Sequence, residues 1–237
     1  MESVWTLLSW GPEGWLDDIA EGVLVTVSLA VATLPFGLLA GFFVALAKQS
    51  NEPSLRFAAN IYTTIFRGLP ELLTLFLIYF GAQIVIQAVV RIFSAEATVE
   101  VNSFVSGMIA LGLVFSAYAS EVFLSAFRAI PKGQYEGGFA IGLTKGQTMR
   151  LVVLPQLIRI ALPGLGNQWM ILLKDTALVS AIGLADILRQ ATIASRVAKH
   201  AFLFFGVSGL IYLALAIVSS FGILAIERRV GRQEAHR

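Results

Sequence analysis

The sequence predicts an all-α, polytopic membrane protein that crosses the bilayer five times. Of its 237 residues, 57% are hydrophobic and only 14% are charged, whereas soluble domains carry roughly 25% charged residues. The hydrophobic residues form long uninterrupted runs, and about 20 such residues are needed for a helix to cross the hydrocarbon core. The runs do not alternate with polar residues as barrel strands do, so helices are the structure that satisfies the backbone in lipid.

Five segments are long and apolar enough to span. The runs at residues 22–47 and 201–226 contain no charged residue, and these two spans are the clearest. The fourth segment is long enough, but Lys174-Asp175 interrupts it. The predicted spans cover residues 20–47, 55–90, 101–127, 156–185 and 201–227 of a single transmembrane domain over residues 1–237.

The basic residues predict that the N-terminus lies outside and the C-terminus inside, because Lys and Arg concentrate in cytoplasmic loops. In this orientation the inner segments hold most of them, namely Lys48, Arg56, Arg67, Arg128, Lys132, Lys145, Arg150, Arg159, Arg228, Arg229, Arg232 and Arg237. The outer segments hold fewer, namely Arg91, Arg189, Arg196 and Lys199. The acidic N-terminal segment, with Trp5, Trp10 and Trp15, is expected at the outer membrane surface, where indole rings concentrate.

The longest inner segment, residues 128–155, is a polar and basic loop between apolar runs. Pro131 and Gly133 predict a turn, after which a short helix is expected over residues 135–141. Gly142 can end that helix in the left-handed conformation. A second helical stretch is expected over residues 145–153, with Pro155 early in the next helix. Such a loop is either an ordinary surface loop with two amphipathic turns or a docking element for a soluble partner.

The spacing within this loop resembles the "EAA" loop of the membrane subunits of bacterial ATP-binding cassette (ABC) importers. The matching positions are Glu136, Gly137, Gly138, Gly142, Val152, Leu154 and Pro155. Other segments are similar to the polar amino-acid branch of these permeases, namely residues 66–73 (FRGLPELL), 118–123 (YASEVF), 153–156 (VLPQ), 161–164 (ALPG) and 172–180 (LLKDTALVS). Within that branch the chain most resembles the first permease subunit of histidine, lysine/arginine/ornithine or opine importers.

The sequence departs from the family pattern after Glu136. Two alanines usually follow the Glu, whereas this chain has Gly137-Gly138. Each Gly weakens a helix by roughly 0.5–1 kcal/mol relative to Ala. We therefore expect the first helix of the loop to be frayed until a partner docks.

The resemblance implies a fold like that of type I ABC importers and a function as the transmembrane subunit of an ATP-driven importer. The loop would form a coupling helix in a groove of a cytosolic ABC ATPase dimer, with coupling residues Glu136, Gly137, Gly138, Phe139, Gly142, Leu154 and Pro155. The chain has no G-x-x-x-x-G-K-[ST] loop, so it is not expected to be an enzyme or to bind a cofactor, and ATP and Mg²⁺ belong to the partner ATPase.

The same resemblance implies the remaining partners and the location. These are a sister permease subunit or a second copy of this chain, a periplasmic solute-binding protein, and the bacterial inner membrane. The substrate class is polar amino acids, and basic amino acids or opines are the narrower expectation.

Ionisable residues within spans are costly and indicate functional sites by default. The candidates for a substrate path are Glu121, Asn167, Gln168, Lys174, Asp175 and Thr176. A structural contact between helices is the favoured alternative for each of them. Adjacent residues such as Lys174 and Asp175 point about 100° apart on a helix and do not pair on one face.

Further polar residues in the second span carry structural expectations. Arg67 and Glu71, four residues apart, are expected to pair along one helix face. Gln83 and Gln87 are either part of the path or donors of interhelical hydrogen bonds. In the first span the Gly37–Gly41 spacing predicts a close helix–helix approach.

Two other classes of function are alternatives to the importer. A channel or secondary transporter that works without an ATPase should show an ion-binding cluster or a broken helix with convergent carboxylates, and neither is evident in the sequence. A membrane enzyme needs a metal cluster or a nucleophile with its base, yet the chain has no cysteine and only His200 and His236. The net charge of +2 does not favour nucleic acid as a partner.

Overall fold

The structure is a computed structural model that describes residues 4–93 and 98–232, and its regular elements in these ranges are helices. The α-helices are α1 (Val4–Leu7), α2 (Leu16–Gln49), α3 (Pro53–Gly68), α4 (Glu71–Phe93), α5 (Ser103–Ala129), α6 (Lys132–Ala140), α7 (Lys145–Thr148), α8 (Leu154–Asp175), α9 (Ile187–Ala198) and α10 (Ala201–Arg232). A π-helical turn, Met149–Val153, leads into α8, and a 3₁₀-helix, Thr176–Ile182, follows it.

Within the described residues, five helical stretches have the length and composition to cross a membrane. They are Leu16–Gln49, Glu71–Phe93, Ser103–Ala129, Lys145–Ile182 and Ala201–Val230. The predicted all-α class and the predicted number of spans are therefore confirmed. In the fourth stretch the α-helix ends at Asp175 and the chain continues as the 3₁₀-helix.

The second span differs from its prediction, because one helix starting near residue 55 is not formed. Helix α3 ends at Gly68, Leu69 is extended, and α4 begins at Glu71. Pro70 causes the break, since proline lacks an N–H and disfavours helical geometry at the preceding residue. Helix α3 is consequently a separate helix whose side chains are mostly exposed.

Helix α5 forms the centre of the bundle and packs against α2, α4 and α8. The Asn102 side chain caps its first turn by accepting hydrogen bonds from the N–H groups of Phe104 and Val105, at 2.9 and 3.1 Å. The predicted close approach at Gly41 is confirmed: a Cβ atom there would lie 2.8 Å from the carbonyl oxygen of Ser116 in α5. A residue larger than glycine would thus push α2 away from the central helix.

The end of the bundle at which α2 begins is closed by elements that the sequence did not predict. Helix α9 is a short amphipathic helix that contacts α2 and α10. Ala191 and Ala194 of α9 pack with Ile19 and the fully buried Phe204. The Trp15 ring meets Phe204 edge-on at 6.3 Å, while Trp5 and Trp10 stay exposed. We call this the α9 end, and the opposite end, which carries α6, the loop end.

Candidate coupling loop and translocation path

The loop after α5 folds into two short helices, as the sequence predicts. Helix α6 covers Lys132–Ala140, slightly earlier than the expected residues 135–141. Gly142 follows it with φ +85°, the left-handed conformation that glycine adopts readily. The Gly142 N–H donates to the Phe139 carbonyl and the Leu143 N–H to the Gly138 carbonyl, both at 3.0 Å. The loop therefore turns sharply at the predicted residue.

The second stretch of the loop starts with a capping box. The Gln147 N–H donates to the Thr144 hydroxyl at 3.3 Å, and the Thr144 N–H donates to Gln147 Oε1 at 2.9 Å. This reciprocal pair satisfies two backbone donors at the start of α7. The π-helical turn then connects α7 to α8, and turns of this kind are frequent at functional sites.

The two glycines after Glu136 have different surroundings. A Cβ at Gly138 would lie 2.6 Å from Cγ2 of the buried Thr148, whereas a Cβ at Gly137 would meet nothing within 4 Å. Gly138 thus lets α6 pack closely on the second stretch of the loop. Helix α6 runs over Lys132–Ala140 and so includes both glycines.

Helix α6 is joined to the spanning helices on one side and exposed on the other. Tyr135 packs against the main hydrophobic core, and Gln156 Nε2 of α8 donates to Gln134 Oε1 at 3.0 Å. Glu136 is exposed, as are Phe139 (45%) and Ile141 (76%). The exposed face thus belongs to a helix whose other side contacts the core and α8.

Two residues of the predicted coupling set lie apart from this exposed face. Leu154 packs against the core, and Pro155 is exposed in the first turn of α8. Ile141 was absent from the predicted set although its side chain is more exposed than that of Phe139. Its exposure could not be read from the sequence, because an isoleucine beside a helix is more often buried.

The residues proposed for the substrate path fall into separate environments. Gln168 and Asp175 line a small cavity between α5 and α8, together with Tyr118 of α5. Its volume is about 10 Å³, which is the space of one water molecule. The cavity is therefore closed to an amino acid in this conformation.

Asp175 is electrostatically linked to a second carboxylate. Glu71, at the start of α4, lies near enough for the two carboxylates to repel each other, and Lys174 attracts Asp175. Lys174 itself is exposed on the bundle surface, as is Asn167. Thr176 is buried, and its hydroxyl donates to the Leu173 carbonyl at 2.7 Å. Among the predicted path residues, the structure thus brings Gln168 and Asp175 together.

Glu121 lies in a different place, at the junction of three helices. Its Oε1 atom contacts Lys48 Nζ of α2 and Arg67 Nη1 of α3, the latter at 3.3 Å. The Arg67 guanidinium also lies over the Tyr118 ring, 5.4 Å from the centroid. Glu121 therefore ties α2, α3 and α5 together near the loop end.

The prediction that Arg67 pairs with Glu71 is wrong: Arg67 forms its ion pair with Glu121. The i,i+4 rule applies along one continuous helix. The chain breaks between Gly68 and Glu71, so the two residues do not share a helix face.

Gln83 and Gln87 act on the backbone of the segment that precedes α5. The Val101 N–H donates to Gln83 Oε1 at 2.9 Å, and the Val99 N–H donates to Gln87 Oε1 at 3.0 Å. Gln83 Nε2 donates in turn to the Val99 carbonyl. These contacts fix the connection between α4 and α5, which is a structural role.

Asp186 is a buried carboxyl that the sequence analysis missed. It caps α9 by accepting a hydrogen bond from the Arg189 N–H at 2.9 Å, and the Tyr212 hydroxyl of α10 lies 3.4 Å from its Oδ2. Burial raises the pKa of Asp186 to about 6, although these hydrogen bonds favour the ionised form. An Asp directly before a helical pattern is the signal that could have identified this cap.

The structure thus combines five candidate membrane-spanning stretches with a polar loop of two short helices in the part of the chain that it describes. The chain belongs to the family of binding-protein-dependent transport system inner membrane components, which matches residues 13–232. It is therefore a bacterial-type inner-membrane component, and ATP hydrolysis in its family is carried out by a separate ATPase partner that acts on a pair of permeases.

Individual relatives support the same assignment over nearly the whole chain. The nopaline transport system permease protein NocQ of Agrobacterium fabrum is 40% identical over 228 residues, covering 96% of this chain and 97% of the relative. The histidine/lysine/arginine/ornithine transport system permease protein HisQ of Salmonella typhimurium is 38% identical over 216 residues, covering 91% of this chain and 94% of the relative.

A solved structure gives the same result for the fold. An amino acid ABC transporter crystallised with histidines superposes with a TM-score of 0.77 at 32% identity, covering 91% of this chain and 95% of that chain. The resemblance inferred from the sequence motifs is thus confirmed.

Proposed function

We propose that this permease imports a polar amino acid, either a basic amino acid or an opine, and that the loop of residues 128–155 couples ATPase motion to its spanning helices. The observation that carries this proposal is α6, whose Glu136 and Phe139 are exposed while Tyr135 is packed into the core. An ATPase groove that receives the exposed face would move α5 and α8 as it closes.

In this proposal the N-terminus and the α9 end face outward, and the loop end faces the cytoplasm. The distribution of basic residues supports this orientation. A recess of about 630 Å³ at the α9 end is lined by Glu13, Asp17 and Asp18 together with Val197 and Ala198. We assign it to the docking surface for a periplasmic binding protein, and we expect a sister subunit rather than a second copy as the permease partner.

The substrate class is supported by the paired carboxylates within the bundle. The Glu71 and Asp175 carboxylates repel each other. Asp175 also lines the closed cavity with Gln168. Two carboxylates that repel each other favour a ligand that brings a positive group. Opening of the cavity would let a guanidinium or ammonium group reach Asp175. The Thr176 hydroxyl bonds to the backbone at the end of α8. We do not expect Thr176, Asn167 or Lys174 to contact the ligand.

The coupling proposal is tested by a charge placed on the exposed face of the loop. Ile141→Asp should release the ATPase during purification and abolish ATP-driven uptake, because a carboxylate would be forced into an apolar contact. The thermal midpoint of the permease should change little, since the side chain is 76% exposed. Glu136→Lys should have the same effect through reversed charge.

A matched variant serves as the control. Trp10 is 67% exposed at the α9 end, so Trp10→Asp adds the same charge at the opposite end of the bundle and should leave the ATPase bound. Retention of the ATPase by Ile141→Asp and Glu136→Lys, with uptake intact, would refute the coupling role.

A further inference from the structure

A polar recess of about 540 Å³ opens where α2, α3 and α5 meet near the loop end. Its walls carry the cationic side chains of Lys48, Arg67 and Arg128 and the carboxylate of Glu121. Asn60 and Thr64 of α3 add neutral polar groups. This recess is distinct from the closed cavity at Asp175, and the proposed coupling residues Glu136, Phe139 and Ile141 do not line it.

The charges in this recess are unbalanced. Lys48 and Arg67 both contact the same oxygen of Glu121, Oε1. Arg128 adds a third cation to the recess and is exposed. One carboxylate thus faces three cations, which leaves surplus positive charge on the walls.

A purely structural explanation accounts for only part of this arrangement. Each of the three cations lies in the last turn of its helix, where positive charge is favourable. That effect explains each cation separately. It does not explain why three helix ends direct their cations into one recess of this volume.

The recess also adjoins the closed cavity along α5. Tyr118 lines the cavity. The Arg67 guanidinium lies over the Tyr118 ring and also lines the recess. Glu121 follows Tyr118 by about one helical turn, in the direction of the loop end. A substrate that leaves the cavity at Asp175 towards the loop end would therefore reach the recess next.

We propose that this recess is a carboxylate-binding site on the release path of the transported molecule. This proposal rests on the proposed import of a basic amino acid or opine. The cations receive the carboxylates, and Glu121 receives the positive group of the same ligand. Because three cations oppose one carboxylate, the recess favours a substrate with two carboxylates over one with a single carboxylate.

Phosphate offers similar oxyanion chemistry, either as the free ion or as a lipid headgroup. Free phosphate and the phosphatidylglycerol headgroup carry no positive group to face Glu121, so they satisfy only the cations of the recess. A zwitterionic ligand satisfies both signs of charge in the recess, and this difference separates the sources in the experiment.

The experiment uses the importer purified with its partner subunits and reconstituted into vesicles that contain ATP. Initial uptake of labelled arginine or octopine, whichever the wild type transports, is measured against increasing internal concentrations of three compounds. Agmatine, arginine and octopine share a guanidinium tail and carry no, one and two carboxylates. We expect inhibition to strengthen in that order, by about tenfold for each carboxylate, as expected for one charge-assisted hydrogen-bonded contact.

Variants then assign the effect to the recess. Arg128→Gln should weaken inhibition by octopine about tenfold and compress the differences among the three compounds. Arg56→Gln removes an exposed cation from α3 that does not line the recess, and it should leave the inhibition constants at the wild-type values. The wild-type series is informative even where a variant is poorly produced.

Several results would overturn the proposal. Agmatine could inhibit as strongly as octopine, or Arg56→Gln could weaken inhibition as much as Arg128→Gln. Equal inhibition by internal inorganic phosphate would indicate a general anion site. Loss of the Arg128 effect in vesicles without phosphatidylglycerol would indicate a lipid headgroup. A wild type that binds an active ATPase yet imports neither compound would refute the proposed substrate class, and the release site with it.

Discussion

Replacement of Glu121 by glutamine should destabilise the permease, because the buried ammonium group of Lys48 would lose a carboxylate partner. The Lys48 side chain is only 7% exposed, and Glu121 is 34% exposed. Removal of one partner from a buried ion pair costs about 3–5 kcal/mol. Because water partly screens Glu121 here, we expect about 2 kcal/mol. For a chain of this size that corresponds to a midpoint lowered by about 4–8 °C.

The assay is thermal unfolding of the purified protein in detergent at a fixed heating rate, since membrane proteins often unfold irreversibly. A second replacement, Lys48→Met in the Glu121→Gln background, removes the stranded ammonium and should restore about half of the lost stability. Glu100→Gln changes an exposed carboxylate and serves as the control. An unchanged midpoint for Glu121→Gln, or a double variant less stable than the single one, would refute the reasoning.

Three further predictions concern packing, backbone conformation and pH. Gly41→Val should destabilise the protein by about 2 kcal/mol, because its Cβ would lie 2.8 Å from the backbone of α5; Gly81→Val, in open space, should cost under about 1 kcal/mol. Gly142→Ala should cost about 1 kcal/mol, because the residue has φ +85°, and should speed amide exchange in α6. The folded-state pKa of Asp186, about 6, lies above its unfolded value of 3.8. Its contribution to stability therefore grows by about 1 kcal/mol as the pH falls from 7 to 5 and is lost as the pH rises through 6, and Asp186→Asn should remove that dependence from the thermal midpoint.

The spans and the loop could be predicted because they depend on local signals. Hydrophobic run length determines where helices can cross a bilayer, and Gly142 marks a turn that few other residues could make. The position of α6 follows from Pro131 on one side and Gly142 on the other. These features require no knowledge of which helices are neighbours.

The ion pairs could not be predicted, because they depend on contacts between distant parts of the chain. Arg67 and Glu71 have ideal helical spacing, yet Pro70 ends the helix between them and Arg67 turns to Glu121 on α5. Lys48 meets the same carboxylate from α2, across a sequence separation that no periodicity reveals. The recess that these residues share is therefore visible only in the folded chain.

Asp186 shows a different limit of sequence reasoning. No helix is predicted from the sequence between residues 185 and 201, so Asp186 is not recognised there as a helix cap. In the folded protein the carboxyl is buried between α9, α2 and α10, because Gly22 of α2 lets the backbone at Asp186 approach closely. Burial of this kind depends on which helices pack together, and the local sequence does not reveal that.

The central claim is that α6 presents its exposed face to a cytosolic ATPase. The chain has no cysteine, so single cysteines introduced at Ile141 and at Trp10 can be labelled with a membrane-impermeant maleimide in vesicles of either orientation. We predict that Ile141→Cys reacts only in inside-out vesicles and is protected by the bound ATPase, whereas Trp10→Cys reacts only in right-side-out vesicles. Reaction of Ile141→Cys from the outer side would contradict the account.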